Sequence, residues 1–504
     1  MESRRFAKRN GEVRATEPAG RREVGARSSS DEVGELAPED PAEQRSAPEK
    51  QNVRREKMTE TLGSLDVSTK LERIARLAKE IRDGQLYTLA HHIDGDWLRE
   101  AYRRTRKDGA RGVDGVSAQQ YAERLEDNLR DLLERAKSGR YFAPPVRRVH
   151  IPKGDGSETR PIGIPTFEDK VLQRAVAMVI GEVYEQEFYD FSYGFRPKRS
   201  AHQALETFRN ATVHMAGGWI VEVDIKKFFD TVEHVHLREI LHRRIRDGVL
   251  LRLIGKWLNA GVLEGLDLSY SNEGTPQGGV ISPLLANIYL HTVFDDWFVR
   301  EVTPRLTSKA VPVRFADDIA VLFGRKSDAV QFLRDLSARF AQFGLALHPE
   351  KTRLVPFRRP DLVDDDVDRP GPPGTINLLG FTHHWGMSRR GKWTVRQRTA
   401  RDRFRRALRR IAEWCRLHRH DPVNTQHLTL TKKLKGHYAY YGITSNHGAL
   451  DRLLDLVERV WYRALARRSQ RRLSWKAMQR LLARFPLPKA RIVHQYDTQQ
   501  TLPL

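Results

Sequence analysis

Two adjacent carboxylates, Asp317 and Asp318, stand between two short runs of apolar and aromatic residues in segment 313–323. Strand-forming residues on both sides of a polar pair predict a strand, a tight acidic turn and a second strand. Paired Asp residues in turns are often no more than solvated caps. A third carboxylate upstream favours a catalytic role instead.

That third carboxylate is Asp224, which follows an apolar segment beginning at Trp219. Side chains of a strand alternate between its two faces. One face therefore carries Trp219, Val221 and Val223, and the other carries Ile220, Glu222 and Asp224. We expect the first face to pack on a core and the second to be free to carry the carboxylate.

The charge of the chain favours a polyanionic partner. Its 504 residues include 88 Lys and Arg against 65 Asp and Glu, a formal net charge of +23. No apolar run approaches the length that crosses a bilayer, so no membrane partner is expected. The single cysteine, Cys415, excludes disulfides within the chain and zinc sites built on Cys pairs. With an N-terminal segment that lacks the apolar core of a signal peptide, this predicts a cytoplasmic protein.

Composition and periodicity divide the chain into segments. Residues 1–65 are rich in Arg, Glu, Ser, Gly and Pro, which predicts a disordered tail of mixed charge. The patterns that follow predict helices near 68–77, 97–102, 121–132 and 169–185, a β-hairpin at 146–164, mixed strands and helices at 219–323, a loop at 359–374, a strand at 376–385 and a basic helical domain at 400–490.

Three carboxylates from one strand and one turn suit a two-metal phosphoryl-transfer site. Mg²⁺ prefers hard oxygen ligands and retains waters, so a few Asp residues and substrate phosphates complete its shell. Two such ions about 4 Å apart can activate a primer 3′-hydroxyl and stabilise the leaving pyrophosphate. Lys153 and Arg160 on the hairpin arms are suited to hold a triphosphate, although hairpin-borne basic residues are more often simply solvated.

A glycine-rich turn at 274–279 precedes Ser282 and Pro283. Such a turn lets the backbone approach a ligand closely, or it is a plain connection. Ser282 as N-cap and Pro283 at the first helical position predict that a helix begins directly after the turn.

The order of these motifs resembles the motif series of bacterial group II intron reverse transcriptases over roughly residues 70–390. The motifs that carry the resemblance lie at residues 160–166, 169–173, 192–197, 223–230, 274–279 with 282–283, 315–318, 348–352 and 379–381. Residues 434–442, 461, 465–468 and 475 look like the thumb or maturase segment of that family, which contacts intron RNA.

The resemblance implies an α+β fold: a right-hand polymerase with fingers and palm and a C-terminal all-helical thumb or maturase domain. The N-terminal extension and fingers would span residues 66–215, the palm 216–390 and the helical RNA-binding region 391–495. The implied activity is RNA-directed DNA polymerisation, with structured intron RNA as template, DNA as primer or target, dNTPs as substrates and two Mg²⁺ ions, or Mn²⁺, as cofactor.

The resemblance also assigns roles to individual residues. Asp224, Asp317 and Asp318 would be the catalytic triad, and Ile225 would join them at the metal site. Phe229 would exclude a ribose 2′-hydroxyl, although by itself it is typical of a core aromatic at a strand end. The other nucleotide-binding residues would be Lys153, Arg160, Gln277 and Lys351, the last as a possible acid near the pyrophosphate. RNA would be bound by Arg401, Arg405, Arg406, Arg409, Lys435, Arg467 and Arg468.

The chain departs from the family pattern in two places. Phe315 stands where family members usually have Tyr before Ala-Asp-Asp, and because the metal ligands are unchanged we expect polymerisation to survive. The sequence also has no Cys pairs or zinc nuclease segment after the helical region, so second-strand DNA cleavage is not expected.

Two other functions remain open from the sequence. A splicing-only maturase would typically have lost one or more catalytic Asp residues, and all three are present here. A host-adapted reverse transcriptase of phage defence or DNA repair would often alter the Gln-Gly-x-x-x-Ser-Pro segment or carry extra domains, and neither is seen.

Overall fold

The computed structural model describes residues 66–82, 84–153, 158–265, 267–270, 278–362, 374–388, 390–468 and 473–496. The predicted tail at 1–65, the tip of the predicted hairpin, the first half of the glycine-rich turn and most of the predicted loop at 359–374 lie outside these residues. No helix in the described ranges is both long and apolar enough to span a bilayer.

About half of the described residues lie in α-helices. They are α1 (66–80), α2 (Gly95–Arg104), α3 (Ala118–Ala122), α4 (Leu125–Ser138), α5 (Phe167–Glu185), α6 (Ala201–His214), α7 (Phe228–Thr231), α8 (His234–Arg244), α9 (Gly248–Leu258), α10 (Ser282–Leu290), α11 (Lys326–Ala341), α12 (Arg401–Leu417), α13 (Val423–Tyr441), α14 (His447–Ala466) and α15 (Trp475–Arg484). After α10 the chain continues through two π-helical segments, His291–Asp296 and Phe298–Val302.

The strands form three separate sheets. They are β1 (Val146–Lys153), β2 (Glu158–Ile164), β3 (Trp219–Val223), β4 (Val262–Glu264), β5 (Asp267–Ser269), β6 (Ala310–Phe315), β7 (Asp318–Phe323), β8 (Arg353–Pro356), β9 (Ile376–Leu378), β10 (Phe381–Met387) and β11 (Trp393–Thr399). The hairpin sheet has the order β2-β1-β4-β5, the central sheet β6-β7-β3-β8 and the C-terminal sheet β11-β10-β9. The mixed helix and sheet composition confirms the predicted α+β class.

The central sheet is antiparallel throughout and separates two hydrophobic cores. Val221 and Val223 of β3 belong to the larger core, which also contains the apolar residues of helix α5. Ile220 lies in the second core, with Phe208 of α6 and Trp385 of β10. Strand β3 is therefore covered on both faces.

This arrangement corrects the expectation that one face of β3 is free. Ile220 has no exposed surface, and Glu222 is covered because its carboxylate pairs with Arg353 and accepts a 2.8 Å hydrogen bond from the amide of Asn377. The covering residues follow Glu222 by more than a hundred positions, so local alternation could not reveal them. Only Asp224, one residue beyond the strand, remains open.

Two helix boundaries differ from those predicted. The helix predicted across 121–132 is broken between α3 and α4, where Asn128 Nδ2 donates a 2.9 Å hydrogen bond to the Tyr121 carbonyl that the break releases. Ser282 is the first residue of α10 rather than its N-cap, and no side chain of the preceding residue, Ile281, caps the helix.

The C-terminal region forms a third core of its own. Helices α12, α13 and α14, which lie in the segment predicted to be helical, pack around Leu434, Leu453, Val457 and Trp461. Strand β11, which pairs with β10 from Trp393 to Thr399, was not predicted. Its buried positions after Val395 are the polar Gln397 and Thr399, and they alternate with Arg396 and Arg398, so no apolar alternation marks the strand.

Candidate active site

The register of the central sheet gathers the three predicted carboxylates. Val223 of β3 pairs with Ile319 of β7, so the next residues along the two antiparallel chains, Asp224 and Asp318, stand across from each other. Directly opposed residues project from the same face of an antiparallel sheet. Asp317 lies in the turn that joins β6 to β7. All three carboxylates thus lie at the same end of the neighbouring strands β3 and β7.

Crowded negative charge shifts the acidity of the turn. Loss of hydration, together with the charges of Asp317 and Asp224, raises the pKa of Asp318 to about 6, even though this residue opens onto solvent. Loss of hydration also raises the pKa of Asp317, and Asp224 adds to that shift. Arg160 opposes the rise in pKa at both residues, and Arg403 opposes it at Asp318. A cation between these carboxylates would relieve their mutual repulsion.

The backbone of the acidic turn is held in an uncommon conformation. Ala316 has a φ of 57°, in the left-handed region that non-glycine residues rarely adopt. Gly194 packs directly on it, and a Cβ at Gly194 would lie 2.3 Å from the Ala316 nitrogen. Glycine is therefore required at that position, which explains one residue of the 192–197 motif.

A buried arginine beneath the turn was missed by the sequence analysis. Arg314 has no exposed surface, and its Nε donates a 2.8 Å hydrogen bond to Oδ1 of the equally buried Asp295. It also donates to Asn287 Oδ1, Ser192 Oγ and the Ala316 carbonyl, at 3.0, 2.7 and 3.3 Å. The sequence did carry a signal for it. A single Arg within an apolar strand segment is buried with its neighbours and therefore needs a buried partner.

This network ties three distant segments to the turn. Asn287 uses its Nδ2 to donate a 2.6 Å hydrogen bond to the Gly194 carbonyl, so α10 holds the glycine that packs on Ala316. Asp295 lies in the first π-helical segment, a rare conformation that is frequent at functional sites. Arg314 pairing also holds the pKa of Asp295 below its usual value despite complete burial.

At the end of β3, hydrogen bonds from residues 348–352 hold the backbone of Asp224 in place. The amide of His348 donates a 2.8 Å hydrogen bond to the Asp224 carbonyl, and the Asp224 amide donates to Thr352 Oγ1 at 3.3 Å. Lys351 places its Nζ 3.8 Å from Asp224 Oδ2. The predicted nucleotide-binding lysine therefore lies beside a predicted metal ligand.

The other predicted nucleotide-binding residues fall at different places. Arg160 of β2 is exposed and lies near enough to Asp317 and Asp318 to oppose the rise in their pKa values. Phe229 is half-buried, with its ring centroid 5.3 Å from that of Phe228. The backbone of Lys153 ends β1, but its side chain lies outside the described part, as does all of Gln277.

A cleft of about 550 Å³ opens beside Asp318. The start of α12 contributes Arg403 to its wall, and the end of α13 contributes Tyr440. Tyr440 Oη donates a 2.8 Å hydrogen bond to the Leu379 carbonyl, which joins the helical bundle to the C-terminal sheet. Phe315 also lines the cleft, next to the catalytic turn and 6.3 Å from the ring of Phe195.

The predicted RNA-binding residues are spread along the bundle. Arg401, Arg405 and Arg409 form an exposed stripe on α12 at four-residue spacing, while Arg406 is half-buried and has its guanidinium 3.5 Å from Asp402. The remaining exposed positions are Lys435 on α13 and Arg467 and Arg468 after α14. Arg468 contacts the His420 carbonyl beyond the far end of α12, so these residues do not form one compact patch.

The carboxylate oxygens of Asp224, Asp317 and Asp318 are of the chemical type that Mg²⁺ prefers. Hard carboxylate oxygens are available, and loss of hydration together with mutual repulsion raises the pKa values of Asp317 and Asp318, an effect that a bound cation would reverse. Within the described ranges, no three His, Cys, Asp or Glu side chains are gathered as closely as the ligands of a bound ion. Mg²⁺ sites often use one or two carboxylates and complete the shell with water and phosphate.

Comparison with known proteins adds independent information. A family model described as reverse transcriptase (RNA-dependent DNA polymerase) matches residues 151–383, which include all three carboxylates. Group II intron-encoded protein LtrA of Lactococcus lactis subsp. cremoris is 38% identical over 233 residues, or 46% of this chain and 38% of that protein. The match thus spans well under half of that relative's length.

Two further relatives extend the comparison. Protein YkfC of Escherichia coli (strain K12) is 33% identical over 327 residues, which cover 58% of this chain and 82% of that protein. The putative COX1/OXI3 intron 1 protein of Saccharomyces cerevisiae is 29% identical over 277 residues, which cover 45% of this chain and 32% of that protein.

Proposed function

Because the chain belongs to the family of bacterial group II intron reverse transcriptases and maturases, we propose that it is an RNA-directed DNA polymerase that also binds intron RNA. One observation carries the proposal. The β3–β7 register sets Asp224 opposite Asp318, with Asp317 in the adjoining turn, inside the segment that matches the reverse transcriptase family model.

The proposed arrangement is that of a right hand. Residues 66–215 are the N-terminal extension and fingers, residues 216–390 the palm and residues 391–495 the thumb or maturase region. In support, the hairpin sheet carries Arg160 toward the Asp pair, and the helical bundle closes one wall of the cleft beside Asp318. The primer terminus and incoming nucleotide would meet in that cleft.

In this proposal the oxygens of Asp224, Asp317 and Asp318, with the Ile225 carbonyl, would hold two Mg²⁺ ions. When bound, these ions supply Lewis acidity to the primer hydroxyl and neutralise charge on the triphosphate. Arg160 binds the triphosphate electrostatically, and Lys351 holds positive charge beside Asp224 where pyrophosphate departs. The network under Ala316 keeps the carboxylates in place, so that little reorganisation precedes the reaction.

We propose that Phe229 selects deoxynucleotides by occupying the space of a ribose 2′-hydroxyl. Replacing Phe229 with Ala is expected to raise kcat/KM for CTP relative to dCTP at least about tenfold, because the steric block is lost. Single-nucleotide incorporation with each substrate measures the ratio. Phe142→Ala, at a 74% exposed position, is the control. An equal loss for both substrates would assign Phe229 to packing alone.

RNA binding by the helical bundle should act mainly through phosphates. We expect affinity for a structured RNA to fall steeply with salt, and Arg405→Ala with Arg409→Ala to reduce the slope of log K against log salt by about 1.4–1.8. Filter binding between low and moderate salt measures both slopes. The control removes two exposed arginines of the N-terminal region, Arg124 and Arg130. A flat salt dependence of the native protein would contradict phosphate-dominated binding.

The proposed activity is tested by extending a DNA primer annealed to an RNA template. We expect full-length product with dNTPs and Mg²⁺, and none after chelation of the ion. A product only on DNA templates would refute RNA-directed synthesis.

A further inference from the structure

A buried polar cluster joins α5 to the glycine-rich turn. The amides of Val280 and Ile281 both donate to Gln173 Oε1, at 2.8 and 3.4 Å. Gln173 Nε2 in turn donates a 3.1 Å hydrogen bond to Asp169 Oδ2. Both side chains are almost fully buried, at 3% and 2% exposure. The end of the turn is thus held by one amide side chain.

The second oxygen of Asp169 is committed elsewhere. Its Oδ1 accepts a 2.6 Å hydrogen bond from Trp257 Nε1 and another from the Tyr141 hydroxyl. Each of these partners is a donor, so the carboxylate accepts at both oxygens. Burial raises the pKa of Asp169 to about 6, but it remains ionised at neutral pH because the three donors oppose that rise.

The described end of the turn is enclosed from its other side. Gly278 has a φ of 115°, and a Cβ there would lie 2.5 Å from the Gly163 carbonyl of β2. Residues 278–281 therefore lie between β2, which carries Arg160, and α5. The cavity beside Asp169 and Gln173 measures only about 10 Å³, which is room for one water at most. The cluster therefore connects α5 to the backbone of residues 280–281 and does not bind a ligand.

The orientation of the Gln173 amide follows from Asp169. An amide has one donor end and one acceptor end. Because the carboxylate accepts only, it fixes the Nε2 end toward itself and leaves Oε1 for the two backbone amides. An amide at position 169 in place of the carboxylate would reverse this orientation and confront Val280 N–H with another donor.

We propose that Asp169 and Gln173 form a relay that fixes the backbone of residues 278–281, with Asp169 acting only through Gln173, and that this placement governs the affinity for the incoming nucleotide. Both are positioning residues, since both side chains are buried and are spent on contacts within the protein. The inference rests on the proposed polymerase function for its nucleotide, but the placement of residues 278–281 is independent of activity.

A reciprocal exchange tests the relay. Asp169→Asn turns the Gln173 amide away from the turn, and Gln173→Glu sets two carboxylates against each other. The double variant Asp169→Asn with Gln173→Glu restores every pairing, because the introduced amide still accepts from Tyr141 and Trp257 through its oxygen while its nitrogen donates to the new carboxylate. We expect each single variant to raise the KM for dNTP about tenfold with little change in kcat, and the double variant to return it to within about twofold.

Amide hydrogen exchange of a peptide containing residues 278–283 gives a readout without catalysis. Exchange should quicken in both single variants and return to the native rate in the double variant. Asp328→Asn, which alters a similarly buried carboxylate bonded to Thr307 and Ser308, should change neither exchange nor KM.

The two measurements distinguish a failure of the relay from a failure of the proposed polymerase function. Native exchange in both single variants, or a double variant no better than the singles, overturns the relay even if primer extension is normal. Altered and rescued exchange in a protein that extends no primer supports the relay while refuting the polymerase.

Discussion

Asp318→Asn is expected to lower the rate of nucleotide addition by about three orders of magnitude or more, while leaving the protein folded. The amide keeps the shape of the side chain but removes the charge that would hold a cation opposite Asp224, and a loss of about 4 kcal/mol of transition-state stabilisation corresponds to this factor. Single-turnover incorporation at fixed Mg²⁺ measures the rate.

Thermal unfolding provides the second measurement on that variant. The raised pKa of Asp318 means that folding disfavours its charged form, so Asn should leave the melting temperature unchanged or slightly higher. Asp127→Asn, at an exposed position of α4, controls for loss of one charge. A large drop in melting temperature would mean that Asp318 supports the fold, and native-like incorporation would remove it from the catalytic centre.

Arg314→Met is expected to destabilise the protein by about 3–5 kcal/mol, the largest stability effect that we predict. Removing the guanidinium leaves Asp295 charged, without exposed surface and without its strongest partner, and that cost exceeds the loss of an ordinary ion pair. Denaturant unfolding measures the change. Arg305→Met, which breaks an exposed pair with Asp335, should cost about 1 kcal/mol or less.

A compensating variant separates stability from positioning. Arg314→Met with Asp295→Leu replaces the buried pair by apolar side chains, and should recover much of the lost stability. Nucleotide addition should stay low, because the Ala316 carbonyl and Asn287 still lack their donor. Full recovery of activity in the double variant would show that Arg314 contributes only to folding.

Local patterns predicted the parts of the site that lie close in sequence. The strand, acidic turn and strand around Asp317 follow from alternation and turn preference, and the structure confirms β6, the turn and β7. Alternation also placed Asp224 on the same face as Ile220 and Glu222, although it did not predict that β3 ends at Val223. What alternation could not give was the register that pairs Val223 with Ile319, since it depends on how separate strands meet.

The residues that sequence reasoning missed act across long separations. Arg314 occupies an ordinary position in a strand. Its burial depends on Asp295, which lies in a π-helical segment that no sequence pattern predicted. Gln173 appeared only as part of a motif, because its partners Val280 and Ile281 are backbone amides. Similarly, Arg403 reaches the Asp pair from the helical bundle. Tertiary contacts, and not propensity, decide such roles.

The most direct test of the central claim compares the native chain with Asp317→Ala plus Asp318→Ala in primer extension on an RNA template with dNTPs and Mg²⁺. The predicted result is DNA product from the native chain and none from the double variant, with both proteins binding the RNA equally. Product from both proteins, or from neither, would contradict the assignment of these carboxylates as the centre of an RNA-directed DNA polymerase.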